Sequence, residues 1–424
     1  MASKSKQKRM KQLSKSKPAT LAVFIAVITA TLAVFIAVIT ATLAYFQNKY
    51  GQFSDIRGFY GMHFSDGLHH WPFSAHTLLG AKDPSHPVEY PALTGLIMWL
   101  ISFLVKPTQF AFVDYFRITA MLHVALFALT VYLIKRLSSN KWAIYFALSP
   151  AVLYSLNRNW DIWAVVTMMW AIYLFEKGKE KSSAILLSIS IATKFFPLVL
   201  LLPIAIWYLR NKEISKFLKY LGITIGGWFL INLPFAVFNF RGWSYFYEFS
   251  YKRGLGSASI FDIAGKLGFP IPFANIAFYL LNFFIFGIVV SYFLISKAVV
   301  PISEAAFFTM FAFILFNKQY SMQYIIWLTA LAVIALSKIE KKYRLFALIS
   351  YLAWQIFDFL FQYVFFQNIL TNTYANTNTA EPYRIISNFQ YGLIGGIRYL
   401  LAMAFFTILG IFLYRQKKIP FNQK

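Results

Sequence analysis

Apolar runs of about membrane-spanning length recur along the whole 424-residue chain, separated by short polar breaks. A helix satisfies its own backbone hydrogen bonds in hydrocarbon, so this pattern predicts an all-α, polytopic integral membrane protein with about 11–13 transmembrane or half-spanning helices. The first run, residues 19–46, contains the phrase TLAVFIAVITA twice without a change. Eleven residues make almost three helical turns, so the second copy lays its side chains nearly over the first. At 1.5 Å per residue the run makes a helix of about 42 Å, longer than the ~30 Å hydrocarbon core. Its only polar groups are Thr hydroxyls, so it reads as an anchor carrying a local duplication, with no group that moves a proton.

Further helices are expected over 218–238, 272–296, 300–316, 323–336, 345–366 and 390–412. The stretch 182–209 carries basic signals at both ends yet is too short for two full crossings. It predicts two short helices folded at Lys194-Phe195-Phe196-Pro197, since Pro breaks the helix ladder. Such breaks are tolerated at membrane depth where they line a protein-enclosed cavity. Spans 91–105, 115–134 and 142–157 do not balance as three full crossings, so either 91–105 or 142–157 is expected to be re-entrant or half-spanning. Either repair leaves Asn159 and Asp161 outside.

The net charge of +25 accompanies 59% apolar and only 13% charged residues, with 47 Phe. A soluble domain has too little interior for that much apolar surface. The cations cluster in short runs beside the apolar segments, as cytoplasmic loops do, which argues against nucleic acid as the partner. The reading is a basic cytoplasmic tail (1–18), a first transmembrane helix (19–46), an extracytoplasmic loop (47–90), a multi-helix membrane domain (91–412) and a second basic tail (413–424). Cysteine is absent, which removes disulfide and thiolate chemistry. No signal-peptide cleavage pattern is evident.

Among fifteen acids, Asp55, Asp66, Asp83, Glu89, Asp161, Glu248, Asp262 and Glu381 fall on the predicted outer side, four of them in the loop 47–90. Such a concentration in an acid-poor chain marks a candidate site. The same loop holds five of the six histidines, and a continuous helix would set His63, Asp66 and His70 on one face. No HExxH or similar ligand set accompanies them, so interfacial histidines are expected and no metal. Lys194 stands inside an otherwise apolar segment, which is costly unless it is paired, faces a wet cavity or snorkels. Arg398 and Asp358 are expected to pair structurally.

Six short motifs in order carry a resemblance: SDIRGFY (54–60), PVEYPAL (87–93), NRNWD (157–161), ATKFFPLVLL (192–201), YKRGLGSAS (251–259) and NKQYSMQYIIWL (317–328). Together they resemble the membrane glycosyltransferases of the GT-C type, in particular the bacterial polyprenyl-phosphate-dependent mannosyl- and arabinosyltransferase-like family, and more distantly the GPI mannosyltransferase catalytic subunits. Ala92, Met322 and Arg158 depart from that family's usual residues. The resemblance implies a GT-C-like fold whose first extracytoplasmic loop is catalytic. It also implies an inverting transfer from a polyprenyl-phosphate sugar, such as mannose or a similar hexose or pentose, to a hydroxyl of a cell-envelope glycan, glycolipid or glycoprotein.

On that reading Asp55 is the general base, with Asp66 as its rival, and Glu89 orients the acceptor or pairs with a cation. Lys194, Arg253 and Lys318 hold the donor phosphate, while Asn159, Asp161, Tyr320 and Gln323 contact the sugar. Each has a plain structural alternative: a helix cap, a polar loop or an interfacial cation. A phosphate leaving group without a nucleotide does not demand a divalent ion, so no cofactor is expected. The expected site of action is the outer face of the cytoplasmic membrane, with the N-terminus inside and membrane lipid as a partner. A lipid-linked sugar transporter or flippase is the alternative, with Lys194, Asp358 and Arg398 along its pathway. Transporters often show repeats relating two halves, and this chain has only the eleven-residue duplication. A non-catalytic scaffold subunit would have no need of Asp55.

Overall fold

A computed structural model of the chain describes residues 55–77, 82, 85–296, 299–374 and 385–418. The expected first span (19–46), Asp83 and Glu381 lie outside the described residues. Those described fold almost wholly as helices, and their one β-type contact is an isolated antiparallel bridge between His76 and Ser85. In chain order the helices are α1 (Asp55–His63), α2 (Ala92–Ser102), α3 (Ala111–Leu137), α4 (Asn140–Ala147), α5 (Pro150–Ser155), α6 (Asp161–Glu176), α7 (Glu180–Thr193) and α8 (Leu201–Arg210). They continue with α9 (Ile214–Phe238), α10 (Phe240–Lys252), α11 (Ile260–Lys266), α12 (Ala274–Ile295), α13 (Ile302–Leu315), α14 (Ile325–Ser337), α15 (Lys341–Tyr374) and α16 (Asn388–Lys418).

Five of these, α3, α9, α12, α15 and α16, are long and apolar enough to cross a membrane. Helices α9 and α12 turn large apolar side chains outward, among them Phe229, Leu230, Phe283 and Phe284, as a lipid-facing wall does. Helices α13 and α14 are instead buried nearly all round, which is the signature of a helix at the centre of a bundle. The core therefore sits on α6, α13 and α14, with the longer helices around it.

Both segments that failed to balance are short. Helix α2 has eleven residues, and the stretch predicted over 142–157 is cut in two, α4 of eight residues and α5 of six. The cut is local chemistry: Ser149 accepts a hydrogen bond from the Val152 amide while Pro150 occupies the first turn, so a new helix begins there. The stretch 182–209 is broken where its sequence predicts. Helix α7 ends at Thr193, Lys194 is extended (φ −148°, ψ 131°), and a 3-10 turn over Phe196–Leu200 leads into α8.

The described residues between 55 and 90 pack as a lid with its own small core. Ile56, Phe59, Tyr60, Phe64 and Phe73 pack against Met98, Tyr115, Phe116 and Trp160. Phe73 is its peg. The Phe73 ring lies against Gly95 of α2, and its carbonyl occupies the place where a Cβ on Gly242 of α10 would be. Asn239 ties the same point down, donating from Nδ2 to the Phe73 carbonyl at 3.0 Å and capping α10 by accepting from Gly242 N at 2.9 Å.

Across the bundle, the buried Arg398 donates from Nε to Asp358 Oδ2 at 2.8 Å and lies 3.6 Å from the Tyr320 ring centre. The pair links α15 to α16.

Because the Phe73 carbonyl cannot share its place with a methyl, Gly242→Ala should lower the apparent Tm of the purified protein, at a cost of about 1–3 kcal/mol. Gly226→Ala, whose added methyl meets nothing within 4 Å, should leave it unchanged or slightly higher.

Candidate active site

Under the lid lies a cavity of about 500 Å³, walled by α1, the 86–90 turn, the α7–α8 break, α10 and the 321–324 turn. Asp55 opens α1, and its amide donates to the Arg158 carbonyl at 2.9 Å, which fixes the start of the helix on the loop before α6. The Asp55 carboxylate accepts from the Tyr90 hydroxyl at 3.2 Å. Because it faces the cavity Asp55 is accessible to water, yet protein crowds it on its other sides. That burial raises its pKa above the ordinary value of 3.8. The Tyr90 hydrogen bond and the charge of Lys194 pull the other way without cancelling it.

Behind Tyr90 sits the ion pair that organises the floor. Lys194 Nζ donates to Asp161 Oδ1 at 2.8 Å, and Trp327 Nε1 donates to Asp161 Oδ2 at 2.9 Å. The carboxylate is wholly buried and the lysine side chain 13% exposed. The ammonium also faces three aromatic rings, those of Tyr90 at 5.0 Å and of Phe196 and Tyr324 at 5.7 Å. Asn159 Oδ1 accepts from Asp161 N at 3.0 Å, holding the first turn of α6. The buried Asn159 Nδ2 has no hydrogen-bond partner among the described residues. Thr94 donates to the Thr193 carbonyl at 2.6 Å, so α2 steadies the residue before the break.

Two arginines also reach the cavity. Arg158, 5% exposed, is held between the rings of Tyr154 and Phe366, at 4.5 and 4.0 Å. Arg253 ends α10 over the Phe249 ring at 5.2 Å and is exposed. At the mouth, Glu89 faces His86 at 3.5 Å. Phe195, Phe246, Phe249, Phe365 and Phe366 make much of the remaining wall apolar.

Of the residues singled out by sequence, Asp55, Glu89, Lys194, Arg253 and Gln323 line this cavity, and Asp161 and Asn159 lie just beneath its floor. Three others lie elsewhere. Tyr320 is fully buried, donating to Asp358 Oδ2 at 3.3 Å beside Arg398. Lys318 sets its ammonium 5.7 Å from the Phe278 ring, and its carbonyl accepts from Gly256 N. Asp66 accepts from the Leu68 amide at 3.0 Å and pairs with His70 at 2.6 Å. Burial pushes the Asp66 carboxyl up, but those bonds outweigh it and hold it below its usual value.

The single face that a continuous helix would give His63, Asp66 and His70 does not form. Helix α1 ends at His63, and a turn through Gly67, at φ +78°, swings Asp66 and His70 away. His70 stacks on His76 at 4.0 Å, and His76 lies 5.2 Å from His63. His63 lines the cavity but is 1% exposed, with neither ring nitrogen hydrogen-bonded among the described residues. Burial, then the neighbouring His76, His86 and His70, lower its pKa to about 3, so the ring is neutral. Among the described residues no three His, Asp or Glu side chains come together as a metal site.

Tyr90, Arg158 and Trp327 complete the arrangement and were given no role beforehand. All three sat inside quoted motifs, PVEYPAL, NRNWD and NKQYSMQYIIWL. Nothing in the sequence tells which neighbour in such a motif turns inward.

Residues 88–295, just under half of the chain, match the family profile of Glycosyltransferase family 87. No curated protein matches the sequence. Among solved structures, ArnT from Cupriavidus metallidurans in the apo state aligns at a TM-score of 0.42 with 12% identity, covering 94% of this chain and 78% of that one. That likeness is too loose to carry residue roles across.

Removing one partner of the floor pair strands a buried charge, whereas removing both does not. Asp161→Ala should lose ~3–5 kcal/mol of stability, and Asp161→Leu combined with Lys194→Met markedly less. Apparent Tm of the three purified proteins, wild type included, checks the order.

Proposed function

We propose that this chain is a GT-C-type membrane glycosyltransferase, a reading that the match of residues 88–295 to Glycosyltransferase family 87 supports, and that it moves a sugar from a polyprenyl-phosphate carrier to an acceptor hydroxyl, with Asp55 as general base. The observation that carries the reading is a carboxylate of raised pKa on the wall of a cavity lined by both cations and aromatic rings. The acceptor oxygen attacks the anomeric carbon as its proton passes to Asp55. The bond from that carbon to the phosphate oxygen breaks, and its electron pair leaves on the polyprenyl phosphate, so the configuration inverts. Only a base within hydrogen-bond reach of the hydroxyl serves this step, and a pKa nearer the working pH makes it a better one.

Arg158 and Arg253 are the proposed ligands of the departing phosphate, where developing negative charge is best met by fixed cations. Lys194 already has Asp161 as counter-ion at 2.8 Å. Its proposed part is to fix the floor, hold Tyr90 against Asp55 and add positive field to the donor. Glu89 at the mouth, beside His86, orients the acceptor, and Gln323 contacts a sugar hydroxyl. The Phe195, Phe246 and Phe249 side suits the isoprenoid chain, which then need not leave hydrocarbon. Lys318 and Tyr320 are outside the proposed site. The sugar is proposed as mannose or a similar hexose or pentose, the acceptor as a cell-envelope glycan, glycolipid or glycoprotein, and the reaction face as extracytoplasmic.

Purified protein given labelled sugar on polyprenyl phosphate should transfer it, and Asp55→Asn should cut kcat by about 10²–10⁴. Undiminished transfer by the variant would reject Asp55 as base. Movement of the lipid-linked sugar across a bilayer without transfer would favour a flippase.

The carboxylate is the active form, so the rate should fall as pH drops through the raised Asp55 pKa, giving an acid limb above the ordinary value of 3.8. The Tyr90 hydrogen bond lowers that pKa. Tyr90→Phe should therefore move the limb to higher pH, read from kcat/KM against pH.

A further inference from the structure

A second cavity, of about 590 Å³, lies on another side of the bundle, between α4 and the start of α15, and shares no lining residue with the first. Its walls are apolar along most of their length, including Ile144, Leu148, Leu348 and Leu352, with Leu148 50% and Leu352 41% exposed. Two cations stand at one end. Lys141 Nζ lies 5.9 Å from the centre of the Trp142 ring, and the Arg344 guanidinium lies 5.6 Å from the same ring. Arg344 is steadied by donating from Nη2 to the Ile339 carbonyl at 3.0 Å, while its buried Nε has no hydrogen-bond partner among the described residues. Among the described residues no Asp or Glu lines the trough. At its far end, the buried Ser149 hydroxyl donates to Gln355, so neither of these polar side chains stands unpaired in the trough.

The dimensions say what fits. From Arg344 to Gln355 the trough follows α15 for eleven residues, about 16 Å at 1.5 Å per residue. That is roughly half of a ~30 Å hydrocarbon core, the depth of one leaflet. Helix α15 is long and apolar enough to cross a membrane, and Lys341, Lys342 and Arg344 begin it, which suits its first turn to the interface. Cations at headgroup level above an apolar trough one leaflet deep are complementary to a lipid whose head is negative.

We infer that the trough between α4 and α15 binds an anionic phospholipid, its phosphate between Lys141 and Arg344 and one acyl chain along Leu148, Leu348 and Leu352. Bound there, the lipid covers the Trp142 edge and joins α4 to α15 at a place where their own side chains leave a gap.

Native mass spectrometry of the full chain equilibrated with equal phosphatidylglycerol and phosphatidylcholine tests this. Wild-type protein should retain one phosphatidylglycerol in preference to phosphatidylcholine. Lys141→Gln, at an exposed position that asks nothing of the fold, should weaken that retention about fivefold, and adding Arg344→Gln a further several-fold. Arg344→Lys should restore most of it. Leu348→Trp, which fills the trough, should abolish it with both cations in place. Equal retention of the two lipids, or unchanged retention in Lys141→Gln with Arg344→Gln, would overturn the inference. So would displacement of the lipid by inorganic phosphate at millimolar concentration, which would reduce the site to a headgroup contact. Sugar transfer does not enter any of these readouts, so their outcome is independent of the proposed reaction.

Discussion

A lysine ammonium set among apolar helices has to be met by an anion, and here it is met by a carboxylate buried deeper than itself. Lys194 stands where α7 breaks, Asp161 in the first turn of α6, and Trp327 in the first turn of α14. One ionic contact therefore fixes three helix ends against one another at the floor of the cavity. Charge neutrality demands the pairing, since a stranded partner costs several kcal/mol. The pairing in turn decides which faces of α6, α7 and α14 look inward. Tyr90 then lies over the ammonium, and its hydroxyl reaches Asp55. The path from floor to carboxylate is two side chains long.

The lid supplies the other half of the arrangement. Asp55 belongs to a short helix that has little stability alone. It holds its position because Ile56, Phe59 and Tyr60 are buried and because Phe73 is wedged between α2 and α10. Gly95 and Gly242 are both required for that wedge, one for a ring and one for a carbonyl. Elements distant in sequence thus meet at one peg, and the carboxylate takes its place from them.

Some of this was legible residue by residue. The break at Lys194–Pro197 follows from Pro and a costly cation, and the need of Lys194 for a partner or a wet cavity follows from its apolar surroundings. The choice of Asp161 does not follow, because eight acids fall on the predicted outer side and separation along the chain does not say which of them folds against Lys194. Tyr320 and Lys318 show the opposite case. They belong to an irregular turn between α13 and α14, where side-chain direction has no helical period to predict it, and Asp358 with Arg398 took Tyr320 inward. The histidines show a related case: the face they would share needed α1 to continue past His63, and the turn through Gly67 takes Asp66 and His70 elsewhere. Arg158 passed as a departure from a motif. Its stacking rings, Tyr154 and Phe366, come from α5 and α15 and are some two hundred residues apart.

By itself the sequence determined the solvent of this protein and the inventory of its chemistry. Hydropathy over twenty-residue windows is a property of the chain alone, and so are scarce acids, absent cysteines and a lysine that needs company. What it left open was pairing. Which carboxylate meets Lys194, which tyrosine meets Asp55 and which cations reach the cavity are long-range contacts. They depend on how helix ends are phased and how close two backbones come, and those quantities exist only once the helices have packed.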